Sequence, residues 1–301
     1  MATAQMTPTS VSIHNVLIAT DFSRFSNAAL EFGLALSHSY HAKAEIVFVV
    51  PSDEFMLAGP EAYAAAKDAS RRDLLELREE LHRRSSYIEG EDYELQLLDG
   101  DVVDSILSFA QQKAMDLILI GTHGRSGLGK LLMGSVAERV FRHSPIPVLT
   151  IGPRAQRVAH GRPPAKILLA ADFTPASERA AQYAAALAQE NDARLTLLHV
   201  LDRAALDGIA DRECVIHGIE EKLAALLPNQ GANVRFGCRV EAGKITPAIL
   251  QAALETDADL LVMGVRPWTG ILDRFMWPHA YEIVREATCP VLTVRGPIAH
   301  H

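Results

Sequence analysis

The chain has 301 residues, 49% of them hydrophobic and 22% charged, with a formal net charge of −8. That length allows one large domain or two ordinary ones, and an acidic balance without a basic stripe argues against a nucleic-acid partner. No apolar run approaches the roughly 18 residues of a membrane span, and the polar start lacks the charged and apolar regions of a signal peptide.

Taken in order, short apolar runs alternate with longer amphipathic ones. His14 to Ala19 reads as a strand, and Asp21-Phe22-Ser23 offers capping oxygens to a helix ending about Ser39. Ala44 to Val50 is a second strand, apolar on both faces as a buried parallel strand should be. Glu61 to Ser85 is a charged helix with Leu74, Leu77 and Leu81 along one side. Tyr93 to Leu98 is the third strand, and a helix carrying Val102, Ile106 and Phe109 follows. Leu117 to Ile120 is the fourth, then a glycine-rich loop, a helix to about His143, and a fifth strand from Pro147 to Ile151.

The pattern then repeats. Val16-Leu-Ile-Ala-Thr-Asp21-Phe-Ser returns as Ile167-Leu-Leu-Ala-Ala-Asp172-Phe-Thr, Asp116-Leu-Ile-Leu-Ile-Gly121 as Asp259-Leu-Leu-Val-Met-Gly264, and Pro147-Val-Leu-Thr as Pro290-Val-Leu-Thr. Asp21 and Asp172 stand 151 apart but Gly121 and Gly264 only 143 apart, so the second copy is eight residues shorter in its middle. Two homologous domains are expected, 1–152 and 165–301, joined by a Gly/Pro-rich linker, 153–164.

The alternation implies an α/β fold: two tandem doubly wound domains, each with a five-stranded parallel sheet in the order 3-2-1-4-5. Ligands in such sheets bind beyond the strand carboxyl ends where the winding reverses, between strands one and four. Here those ends are Thr20-Asp21 and Gly121, so residues far apart in sequence should face one crevice. The fifth strands are apolar sheet edges, a hazard unless covered. Two in one chain can cover each other as a pseudo-twofold pair.

Gly121-Thr-His-Gly124-Arg-Ser-Gly127-Leu-Gly129-Lys-Leu-Leu-Met-Gly134-Ser135 runs from that fourth strand into a helix. In such a loop, backbone N–H groups and a helix N-terminus can hold phosphate oxygens. The spacing is neither Walker A nor the dinucleotide fingerprint, and a glycine loop without a ligand is the alternative. Gly124 and Gly134 can adopt positive φ and let a phosphate approach closely, while Ser135 and Val136 offer N–H groups where the helix begins. Asp21 could accept ribose hydroxyls, cap the first helix, or both. Arg125 and Lys130 read as solvated, and His123 has no carboxylate partner that would make it a base. No catalytic residue and no metal cluster is expected; His38 and His41 lack a third ligand. Cys214, Cys238 and Cys289 have no C-x-x-C spacing and read as reduced thiols packed as small apolar groups, as in a soluble cytoplasmic protein.

Gly121-x-x-Gly124, nine residues, then Gly134-Ser135, with the Val-Leu-Ile-Ala-Thr-Asp21-Phe-Ser opening and the Pro145-Ile-Pro-Val-Leu-Thr-Ile ending, resembles the universal stress protein family, in its tandem-domain form. The resemblance implies ATP binding in the first domain and a regulatory role in stress response. The alternatives are a scaffold with incidental nucleotide binding or a slow ATPase. It implies that Thr20 and Asp21 meet the ribose, lined by Gly121, that Gly124, Gly134, Ser135 and Val136 hold the phosphates, and that Val49 contacts adenine through its backbone. It also implies magnesium or manganese carried mainly by the phosphates, and pairing through the last strands, within the chain and in a homodimer of tandem chains. The second copy keeps Asp172 and Gly264 but has Pro267, Trp277 and Pro278 in place of Gly124, Gly134 and Ser135. A proline has no N–H for a phosphate, so the second domain is expected not to bind ATP in this way.

Overall fold

The computed structural model describes residues 11–52, 58–84, 87–122, 133–155, 162–206, 211–227, 234–266 and 278–296. The first half runs β1 (Asn15–Ala19), α1 (Arg24–Ser39), β2 (Lys43–Pro51), α2 (Pro60–Arg84), β3 (Tyr93–Gly100), α3 (Val102–Gln112), β4 (Leu117–Gly121), α4 (Ser135–His143) and β5 (Val148–Ile151). The second runs β6 (Lys166–Ala170), α5 (Pro175–Glu190), β7 (Arg194–Leu201), α6 (Arg212–Ala225), β8 (Phe236–Ala242), α7 (Ile245–Glu255), β9 (Leu260–Val265), α8 (Pro278–Glu286) and β10 (Val291–Arg295).

All ten strands form one sheet in the order β3-β2-β1-β4-β5-β10-β9-β6-β7-β8. Each half has the order 3-2-1-4-5 with parallel pairing. The join is antiparallel, with Thr150 opposite Val291 and Thr293 opposite Val148. Each threonine hydroxyl donates across that join, Thr150 to the Val291 carbonyl at 3.2 Å and Thr293 to the Val148 carbonyl at 3.1 Å. The two apolar edge strands thus cover one another.

Alternation along each strand divides the core into two layers. Val16 and Ile18 of β1 face the layer built on α1, α2, α5 and α6, and Leu74, Leu77 and Leu81 are buried on the α2 side. Leu17 and Ala19 face the opposite layer, built on α3, α4, α7 and α8. Asp116 before β4 accepts from the N–H groups of His14 (2.8 Å) and Asn15 (2.9 Å), fixing where β1 begins. Asp259 does the same for Ala165 and Lys166, so this repeated aspartate serves the sheet. Of the cysteines expected inside, Cys289 is buried but Cys214 lies exposed at the start of α6.

Candidate functional site at the carboxyl ends of the first half

Beyond the ends of β1 and β4 lies a cavity of about 590 Å³, in the range that takes a small-molecule ligand. Thr20, Asp21, Val49, Gly121, Gly134, Ser135 and Val136 all line it. Gly124, His123, Arg125 and Lys130 lie outside the described residues, as do Pro267 and Trp277 of the second half.

Register explains what Val49 presents. Lys43 on β2 donates to His14 on the β1 side, and Ala44 donates to Asp92 on the β3 side. Odd-numbered β2 residues therefore direct N–H and C=O toward β1. Pairing with β1 stops at Ala19–Val47, and the Thr20 N–H takes the Val47 carbonyl at 2.9 Å. Val49 comes two residues later, so its N–H and C=O point past the end of β1 and into the cavity.

After β1 the chain turns sharply. Phe22 adopts φ 60°, and Phe173 repeats it at 61°. Such a conformation costs a bulky residue about 1–3 kcal/mol. The Phe22 ring stacks on Phe48 with centroids 4.9 Å apart. The α1 cap is Ser23, whose hydroxyl accepts from Ser26 N, while Asp21 accepts the Ser23 N–H at 3.0 Å. Asp21 therefore supports the turn before the helix rather than capping it.

The two halves differ here. Ser26 Oγ donates to the Ser23 carbonyl at 2.9 Å. Its counterpart Ser177 donates to Asp172, which also accepts the Thr174 hydroxyl and N–H. Burial opposes ionisation of Asp172, but those bonds and the Arg266 charge outweigh it and hold the carboxyl below its ordinary range. In the second half this carboxylate is committed to its own turn.

Gly121 also has a structural duty that sequence reasoning missed. A Cβ on it would stand 2.8 Å from the Phe25 carbonyl carbon and 2.9 Å from Ser26 N. The missing side chain admits the first turn of α1 as well as leaving the cavity wall bare. Gly264 is under the same constraint from Ala176 and Ser177. This glycine therefore recurs in both copies for packing alone.

Gly134 is the N-cap of α4, with φ −60° and ψ 145°. The positive φ open to a glycine is not used there: the chain enters α4 extended, and the Gly134 N–H is held by the Thr122 carbonyl at 2.6 Å. Gly134 has no side chain with which to cap α4. The first N–H groups of the helix, at Ser135 and Val136, therefore lie at the cavity wall at the positive end of the helix dipole. No lysine or arginine is among the described lining residues. Backbone dipoles are what this wall offers an anion.

Two walls were not foreseen. Val102 and Ile106 of α3 supply an apolar side, and Ala66, Ala69, Ser70 and Asp73 of α2 close the far side. Just before Val102, Asp101 caps α3 by accepting from Val103 and Asp104, each at 2.9 Å, and meets Arg139 of α4 at 3.1 Å. The Asp104 N–H and then the Arg139 guanidinium hold the Asp101 carboxyl below its usual range. Among the described residues, no group of three or more His, Cys, Asp or Glu is placed to hold a metal ion. Nor is any helix among them long and apolar enough to cross a membrane.

Comparison with known proteins gives two matches to the model of the universal stress protein family, over residues 12–152 and 164–295. The universal stress protein Mb2019 of Mycobacterium bovis is 26% identical, with 94% of this chain and 95% of that protein covered. The universal stress protein MJ0531 of Methanocaldococcus jannaschii is 31% identical over 45% of this chain and 80% of its own length. A crystal structure of a universal stress protein from Archaeoglobus fulgidus shares the fold with a TM-score of 0.71, covering 95% of this chain and 97% of that one at 20% identity.

Proposed function

We propose that this chain, which belongs to the universal stress protein family, binds ATP in the crevice of its first half and acts as a cytoplasmic regulator in stress response. One observation carries the reading. The N-terminus of α4, whose cap residue is a glycine, and the open backbone edge of Val49 meet in a single cavity, at the point where the sheet reverses its winding.

The base lies along the Val49 backbone, where an N–H donor and a C=O acceptor match a purine edge, with Val102 and Ile106 beneath it. Asp21 takes the ribose hydroxyls beside Thr20 and the bare Gly121 backbone. The phosphates reach the N–H groups of Ser135 and Val136, where dipole and donors favour negative charge. Gly124 belongs to the same phosphate set by its place in the motif. A magnesium or manganese ion would be carried by the phosphates, with the Asp21 and Asp73 carboxylates in the same cavity. No residue of the crevice is assigned a catalytic step.

The second half is proposed not to bind ATP in this mode. Asp172 is taken up by Ser177 and Thr174, and Pro278 stands where Ser135 offers its N–H. Two tandem chains are proposed to associate further as a homodimer.

The test is to identify the nucleotide released when purified protein is denatured, then to titrate the emptied chain with ATP. One site per chain is expected, lost in Gly134→Trp and in Ser135→Pro. If ATP binds equally well to both variants, the crevice is not the site.

A further inference from the structure

Helix α4 carries the N–H groups assigned to the phosphates, and both of its ends are held by residues of the other half. At the start, the Tyr281 hydroxyl of α8 accepts the Met133 N–H at 3.3 Å. Met133 is buried and immediately precedes the Gly134 cap. The next N–H, of Gly134, is held by Thr122 of its own half. Two successive backbone groups are thus fixed from opposite sides just before α4 opens toward the cavity. At the far end, Arg295 of β10 directs its guanidinium to the carbonyls of Phe141 (3.1 Å) and Arg142 (2.6 Å), in the last turn of α4. A cation there satisfies carbonyls that the helix leaves unpaired and offsets the negative pole of its dipole. The positive pole at Ser135 is then less opposed by the other end of its own helix.

The matching positions of the first half carry different groups. By the 143-residue separation of Gly121 and Gly264, Tyr281 corresponds to Glu138 and Arg295 to Gly152. Glu138 pairs with Arg142 at 2.7 Å. Gly152 lies directly against α8, where a Cβ would stand 2.8 Å from the Val284 carbonyl oxygen. The second half therefore carries a hydroxyl and a guanidinium that clamp α4. The first half has a carboxylate and a bare glycine at the matching places.

We propose that the second half is a built-in positioning partner for the first: Tyr281 and Arg295 hold α4 in the register at which its first N–H groups meet the phosphates of a bound nucleotide. This rests on the reading of the crevice as a nucleotide site. Tyr281 and Arg295 are positioning residues, since neither is among the residues lining the cavity. Their effect is expected at the phosphate end, because the backbone groups they hold are those of Met133 and the last turn of α4, whereas the base and ribose lie on β1, β2 and β4.

The experiment is calorimetric titration of the full chain with ATP and, separately, with adenosine, for the wild type, Tyr281→Phe and Arg295→Met. Tyr281→Phe removes one neutral hydrogen bond and keeps the ring. It is expected to weaken ATP about three- to tenfold and to leave adenosine unchanged, and Arg295→Met is likewise expected to weaken ATP and spare adenosine. Equal ATP affinity in the wild type and Tyr281→Phe overturns the proposal, as does an equal loss for both ligands, which a general loosening of the fold would give. Should Arg295→Met not fold, Tyr281→Phe decides alone. A wild type that binds neither ligand overturns the reading of the crevice and this inference with it, whereas normal ATP binding with an unchanged ATP-to-adenosine ratio in Tyr281→Phe overturns the inference only.

Discussion

Gly121 makes room for the backbone of Phe25: a Cβ on the glycine would stand 2.8 Å from the Phe25 carbonyl carbon and 2.9 Å from its oxygen. In the second half Gly264 is tighter still, at 2.4 Å from the Ala176 carbonyl carbon. Backbone cannot swing aside as a flexible side chain can. Gly121→Ala and Gly264→Ala should therefore each lower stability by about 1–3 kcal/mol, as overpacking does, read from denaturant midpoints. Gly264→Ala should leave ATP binding per folded chain as in the wild type. Unchanged midpoints would mean that the first turns of α1 and α5 can back away freely.

Thr150 and Thr293 give the second prediction. Both are buried at the antiparallel join, and each hydroxyl donates to a carbonyl of the opposite half. Valine keeps their shape and removes the bond. Thr150→Val and Thr293→Val should each cost about 0.5–1.5 kcal/mol in urea unfolding. The pair are neighbours across one ladder, so the double variant should depart from the sum of the single ones.

How much of this was legible depends on the range over which each feature is determined. The strands, their order and the pairing of the two last strands followed from apolar runs and the repeat, because burial on both faces leaves its mark in local sequence. The crevice followed from topology, which set Thr20-Asp21 opposite Gly121. What the residues do there was less legible. The need for glycine at 121 comes from Phe25, which is distant in sequence, and nothing near Gly121 announces it. Residue type alone leaves positive φ open to Gly134, whereas the chain there is extended with its N–H on the Thr122 carbonyl. That Ala66, Ala69, Ser70 and Asp73 wall the cavity depends on how α2 lies over β2, which helical periodicity does not encode. Tyr281 and Arg295 act across the join, and a motif read within one copy has no sight of the other.

Asp101 gives a third prediction, at the start of α3. Its carboxylate satisfies two N–H groups at the start of α3 and also meets Arg139 of α4. Asp101→Ala should lower stability by about 1 kcal/mol, the usual worth of a lost N-cap. Arg139→Ala removes only an exposed partner and should cost less than about 1 kcal/mol. Thermal midpoints of the two variants against the wild type decide, and a larger effect for Arg139→Ala would mean that the ion pair, not the cap, holds these helices together.

Asp172 gives a prediction in pH. Its carboxyl is held below the ordinary value of 3.8, burial opposing ionisation and the Ser177 and Thr174 hydrogen bonds outweighing it. A carboxyl depressed in the folded state contributes stability that is complete above its unfolded pKa and is lost as pH falls through its folded one. The contribution of this turn should therefore be constant through neutral pH and decline only in acid below about 3.8. Ser177→Ala deletes a principal opposing hydrogen bond and leaves the burial, so the Asp172 titration should move upward toward its unfolded value, and the acid loss should become smaller and be complete at higher pH. Carbon NMR of the side-chain carboxyl in the two proteins reads the shift directly. A wild-type midpoint at or above 3.8 would mean that burial wins, and that the Asp172 carboxylate is less firmly committed to its own turn than the second half requires.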